Sequence, residues 1–62
     1  MSPSELLRSM RLAEAARLLA SGQGSVADVT YAVGYNSVSY FTRAFQAQYG
    51  VTPAAYRGHT VG

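Results

Sequence analysis

Apolar residues recur every three or four positions through Leu12, Ala15, Ala16 and Leu19, the period of a helix that buries one stripe. Leu6, Leu7 and Met10 form a second apolar group about 180° away around the same helix, so this helix has two faces seeking cover. Ser2-Pro3-Ser4-Glu5 precedes the run with the S-x-x-E spacing of a capping box, and Pro3 falls where a missing N–H costs nothing. Good helix formers continue without Gly or Pro to Ala20, and Ser21-Gly22-Gln23-Gly24-Ser25 then breaks the pattern. A first helix is therefore expected over about 3–20.

Ser25 stands three residues before Asp28, a second cap signal, and Val26, Val29 and Val33 follow at helical spacing until Gly34 offers a left-handed stop. After the short Gly34-Tyr35-Asn36-Ser37 turn, Asn36 or Ser37 can cap a third helix running to Tyr49, with Gly50 as its stop. Thr52-Pro53 repeats the cap-then-proline arrangement and starts a short last helix over about 53–57, followed by a tail over 58–62 that is expected to fray. The elements make an all-α, single-domain chain of three to four helices, with a helix-turn-helix over about 25–49.

Around the third helix, Val38, Phe41, Phe45 and Gln48 fall on one side, the expected packing face. Ser39, Thr42, Arg43 and Gln46 share an arc of about 100° elsewhere. Those four are side chains of the types that read base edges in a major groove: Arg on guanine, Gln on adenine, Ser or Thr on either. A solvated polar face is the plainer reading of the same arc. A short helix, a tight Gly-containing corner and a second helix polar on its outer side favour the groove.

This arrangement resembles the carboxyl-terminal part of the DNA-binding domain of the AraC/XylS family of bacterial transcriptional regulators. The residues that carry the likeness are Ser25-Val26, Asp28-Val29, Val33-Gly34-Tyr35, Ser37, Ser39-Tyr40-Phe41-Thr42-Arg43-Ala44-Phe45, Tyr49-Gly50, Thr52-Pro53 and Tyr56-Arg57. Ser2-Pro3, Leu6-Leu7, Arg11-Leu12, Ala15 and Leu18-Leu19 are similar to the family's connecting helix, so the likeness extends from Ser2 to Arg57. It implies a homeodomain-like fold in which the helix over about 37–49 is the recognition helix, with Asn36, Ser37, Val38, Ser39, Tyr40, Thr42, Arg43 and Gln46 binding double-stranded DNA. It also implies a half-domain, the linker helix plus the second of two helix-turn-helix units. The amino-terminal unit and an effector domain would belong to a parent chain, and the Leu6, Leu7 and Met10 side would be the face that the upstream unit covers. RNA polymerase is a further candidate partner.

Two departures from the family pattern matter. Thr30 stands where a small Ala is usual at the helix crossing, and if buried its hydroxyl needs a backbone carbonyl. Gln46 and Ala47 replace two basic residues common after Phe45, so the expected phosphate contacts reduce to Arg43, Arg57 and one of Arg11 or Arg17, with weak binding and a shallow salt dependence. Arg8, Arg11 and Arg17 can equally be helix-surface charges, Glu14 being spaced to pair with either Arg11 or Arg17.

Composition narrows the alternatives. The 62 residues hold one core at most, and without Cys no disulfide or thiolate zinc site braces it. Charged residues are only 13% of the chain, well under the ~25% of an average soluble protein, which suggests that part of the surface is normally covered. Five Arg, no Lys and three acids give +2, which permits a polyanion partner without requiring one. One His in the tail and three scattered acids do not make a metal cage or an acid–base pair, so no enzyme, cofactor or metal is expected. No stretch suits a bilayer and no leader pattern opens the chain, so a cytoplasmic location is expected. Tyr35, Tyr49 and Tyr56 read as packing residues, whereas Tyr40, beside the polar arc, is placed to reach a phosphate. The competing function is a protein-interaction module that uses the polar arc or the Leu6 patch.

Overall fold

A computed structural model describes residues 2–22 and 24–59. Four helices follow in order: α1 (Pro3–Ser21), α2 (Val26–Ala32), α3 (Val38–Tyr49) and α4 (Pro53–His59). No described helix is long and apolar enough to cross a membrane.

Each helix begins where a side chain satisfies an orphan amide. Ser2 Oγ accepts the Glu5 N–H at 3.2 Å at the head of α1. At α2 the capping box is complete: Ser25 Oγ accepts the Asp28 N–H at 3.1 Å, and the Asp28 carboxylate accepts the Ser25 N–H at 3.0 Å. Of the two cap candidates for α3, the structure uses Ser37, whose Oγ accepts the Tyr40 N–H at 3.3 Å. Thr52 Oγ1 accepts the Ala55 N–H at 3.2 Å ahead of α4. Gly22 and Gly50 close α1 and α3 in the left-handed conformation.

The core is the predicted stripe of α1, Leu12, Ala15, Ala16 and Leu19, packed on Val29 and Val33 and on Phe41 and Phe45 of α3. α1 and α3 each touch all three other helices, so the core lies between these two. Tyr49 stacks on Phe45 at 4.6 Å between ring centres, and Tyr56 of α4 meets Phe45 edge-on at 5.4 Å, which locks α4 onto the end of α3. Thr30 is fully buried, and its hydroxyl donates to the Val26 carbonyl at 2.8 Å, the partner that burial demands.

The corner between α2 and α3 depends on Gly34, whose φ of +95° is one that side chains rarely adopt. The Tyr35 N–H donates to the Thr30 carbonyl at 3.1 Å and ties the corner back to α2. Tyr35 then packs edge-on against Phe41, 5.4 Å between ring centres, so the corner is anchored to the first turn of α3.

Two expectations differ from what is observed. Gln48, placed on the packing face of α3 by periodicity, is exposed, reaching the Ser9 carbonyl of α1 only at 3.5 Å. The last helix extends beyond Arg57 to His59, so the start of the expected tail is helical; residues 60–62 lie outside the described residues.

Candidate nucleic-acid interface

The helix α3 is divided lengthwise. Phe41 and Phe45 are 0% exposed, whereas Ser39, Arg43 and Gln46 stand in solvent on the opposite side. Thr42 is half-buried at the margin of the outward arc, and Val38, expected on the packing face, is half-buried without joining the core cluster. Asn36 is exposed in the turn. Ser37 is half-buried, with its hydroxyl already accepting the Tyr40 amide, so its oxygen retains a proton to donate outward. Tyr40 is 58% exposed, and its ring lies 6.0 Å from that of Tyr35. The structure therefore brings Ser39, Arg43 and Gln46 onto one free surface, with Thr42 and Tyr40 on its two borders.

Next to this surface are groups that periodicity within α3 could not reveal. Arg8 of α1, together with Tyr40, Arg43 and Ala44, lines an open hollow of about 270 Å³. A neighbouring hollow of about 220 Å³ is lined by Ser4, Leu7, Arg8, Arg11, Tyr35 and Tyr40. Arg8 and Tyr40 border both. The Arg11 guanidinium lies over the α2–α3 corner, with its Cζ 3.4 Å from where a Cβ on Gly34 would stand. Burial pushes the Tyr35 phenol above its ordinary range, against the pull of the nearby Arg8 and Arg11 charges. One sequence signal did point this way: Arg8 and Arg11 share a helix face with Ser4 and Leu7.

Two of the three acids are engaged elsewhere. Glu14 pairs with Arg17, whose Nε donates to Oε1 at 3.1 Å, so Arg17 rather than Arg11 is its partner. That bond holds the Glu14 carboxyl below its ordinary range and raises Arg17. Asp28 is engaged in the α2 cap, and its carboxyl is lowered chiefly by the Ser25 backbone N–H. No acidic side chain among the described residues lies within ion-pair distance of Arg8, Arg11 or Arg43. Among those residues no three His, Cys, Asp or Glu side chains come together as a metal site would require.

A family model described as a helix-turn-helix domain matches residues 1–59. The chain is 39% identical over 57 residues to the HTH-type transcriptional regulator MtrA of Neisseria gonorrhoeae, covering 92% of this chain and 19% of that protein. It is 38% identical over 52 residues to the virulence regulon transcriptional activator VirF of Shigella flexneri, covering 84% of this chain and 20% of that protein. It is also 34% identical over 56 residues to histidine kinase P4 of Formosa agariphila, covering 90% of this chain and 4% of the kinase. The chain thus spans about a fifth of the length of those regulators and a small fraction of the kinase. No solved structure gives a significant match. The family match over residues 1–59, these relatives and the four helices of the described residues with their corner at Gly34 establish that the chain belongs to the AraC-type helix-turn-helix family of DNA-binding transcription-regulator domains.

Proposed function

We propose that this domain binds double-stranded DNA sequence-specifically by laying α3 in the major groove, with Ser39, Thr42, Arg43 and Gln46 toward base edges. The observation that carries this reading is the exposure of Ser39, Arg43 and Gln46 on the side of α3 opposite the fully buried Phe41 and Phe45. Arg43 is the strongest candidate for a bidentate guanine contact and Gln46 for an adenine contact. Asn36, Ser37 and Tyr40 serve the sugar–phosphate rim, where hydroxyl and amide donors fix register without reading sequence. Val38 supports the first turn and offers a methyl surface at the groove edge. The domain acts in the cytoplasm, where its DNA is, and needs no cofactor.

The test is a duplex titration of the 62-residue chain followed by amide chemical shifts. Ser37, Ser39, Thr42, Arg43 and Gln46 should move together, and salt should weaken the response. Shifts that bypass α3 would remove the basis for the reading.

The exposure of Leu6, Leu7 and Met10, at 52%, 48% and 60%, favours an additional contact made by α1. In a longer regulator this face would be covered by another domain, an upstream helix-turn-helix unit in particular. An effector domain and RNA polymerase are the other candidate partners. Polar substitution at Leu6 and Met10 should leave this chain's fold intact but destabilise the longer protein.

A further inference from the structure

Three arginines, Arg8, Arg11 and Arg43, gather around Tyr35 and Tyr40 where α1 passes α3, and no acid of the described residues pairs with any of them. In a chain with a formal charge of only +2, this clustering leaves one side distinctly cationic. Like charges held together repel, and an anion placed among them relieves that repulsion.

Geometry selects the kind of anion. Arg8 and Tyr40 line both of two neighbouring open hollows, so a residue bearing a guanidinium and one bearing a phenolic hydroxyl, both donors, border the same stretch of surface. Arg43, which lines the larger of these two hollows with them, also belongs to the outward arc of α3. A helix in the major groove has a phosphate rim on either side of it, and α1 flanks α3 on the Tyr40 side. We propose that Arg8 and the Tyr40 hydroxyl together seat one phosphodiester of duplex DNA at the α1–α3 junction, making α1 a backbone clamp beside the reading helix. Arg11, braced on the corner at Gly34, adds field to the seat. This seat rests on the groove reading of α3 and adds to it a contact from a different helix.

The experiment measures the affinity of the 62-residue chain for a mixed-sequence duplex about two helical turns long, as salt is raised from about 50 to about 200 mM. Arg8 is exposed and unpaired, so Arg8→Gln should fold normally, which circular dichroism checks. Arg8→Gln should weaken binding alike for every duplex sequence and reduce the salt slope by about 0.9, the value for one phosphate. The wild-type advantage then shrinks about threefold across that salt range. Tyr40→Phe, which removes a neutral donor, should weaken binding with the slope unchanged. An unchanged slope in Arg8→Gln overturns the seat. If Arg43→Ala still alters base preference in that event, the groove reading survives without it; if neither variant affects binding, both fall. Inorganic phosphate serves as the second probe. Loss of affinity for phosphate alone, without loss of duplex binding, would mark a free-anion site and refute the DNA clamp.

Discussion

Replacing Phe41 with leucine tests whether the inner edge of α3 is what holds the reading helix in place. The ring is fully buried, with centres 5.4 Å from Tyr35 and 5.8 Å from Phe45. The carbon lost is equivalent to about three methylenes, or roughly 2 kcal/mol of burial at about 0.8 kcal/mol each. The lost aromatic pairs add roughly 1 kcal/mol. Phe41→Leu should therefore cost about 2 to 3 kcal/mol, below the ~3–5 kcal/mol of a Phe→Ala truncation. Domains of this size are stable by only about 3 to 9 kcal/mol, so leucine keeps a measurable transition where alanine would leave little. Urea and thermal unfolding followed by far-ultraviolet circular dichroism supply the assay, with a fall in Tm of about 10 °C or more. Arg43→Ala, on the opposite edge, should change stability by no more than about 0.5 kcal/mol. If the arginine variant lost more than the leucine variant, the division of α3 into a buried and a free edge would be wrong.

Gly34→Ala should cost about 1 to 2 kcal/mol, because φ is +95° there while the new Cβ meets only the flexible Arg11 guanidinium at 3.4 Å; unchanged stability in urea would show that the corner can relax. Asp28 binds its proton less readily when folded than its ordinary value of 3.8, since its carboxylate accepts the Ser25 N–H. Its contribution to stability is thus complete above the unfolded value and is lost as pH falls through the lower folded one. Glu14, lowered by its bond to Arg17, acts in the same direction, so Asp28→Asn should flatten the acid limb of the stability profile only in part. An identical limb in the variant would contradict the cap assignment. Leu6→Ser with Met10→Ser should shift the urea midpoint of this chain by less than about 0.5 kcal/mol equivalent, since both side chains face solvent; a larger loss would mean that the chain covers them itself.

Much of the fold is legible in the sequence because its determinants are local. Ser25 with Asp28, Ser37, and Thr52 before Pro53 each cap a helix within three residues, and Gly22 and Gly50 end one. The outward arc of α3 is legible for the same reason, since periodicity alone separates Arg43 from Phe41. Periodicity misplaced Gln48 because a position near the edge of the apolar stripe is assigned by what packs there, and α1 offers it only a distant carbonyl. The last helix, expected to end near Arg57, continues to His59. The choice of Glu14 partner was undecidable from spacing, since both arginines sit three residues away. The structure decides it by laying Arg11 over Gly34. The shared helix face of Arg8 and Arg11 is legible, but their meeting with Tyr40 is not, because it depends on how α1 crosses α3, a relation between segments far apart in the chain.

The claim that α3 reads sequence is tested most directly by selecting preferred duplexes from a randomised pool with the wild-type chain, Arg43→Ala and Gln46→Ala. Each variant should lose discrimination at one base position, by about 1 to 3 kcal/mol for Arg43, while the other positions keep theirs. A loss of affinity spread evenly over all sequences would assign these side chains to the phosphate backbone and contradict the account.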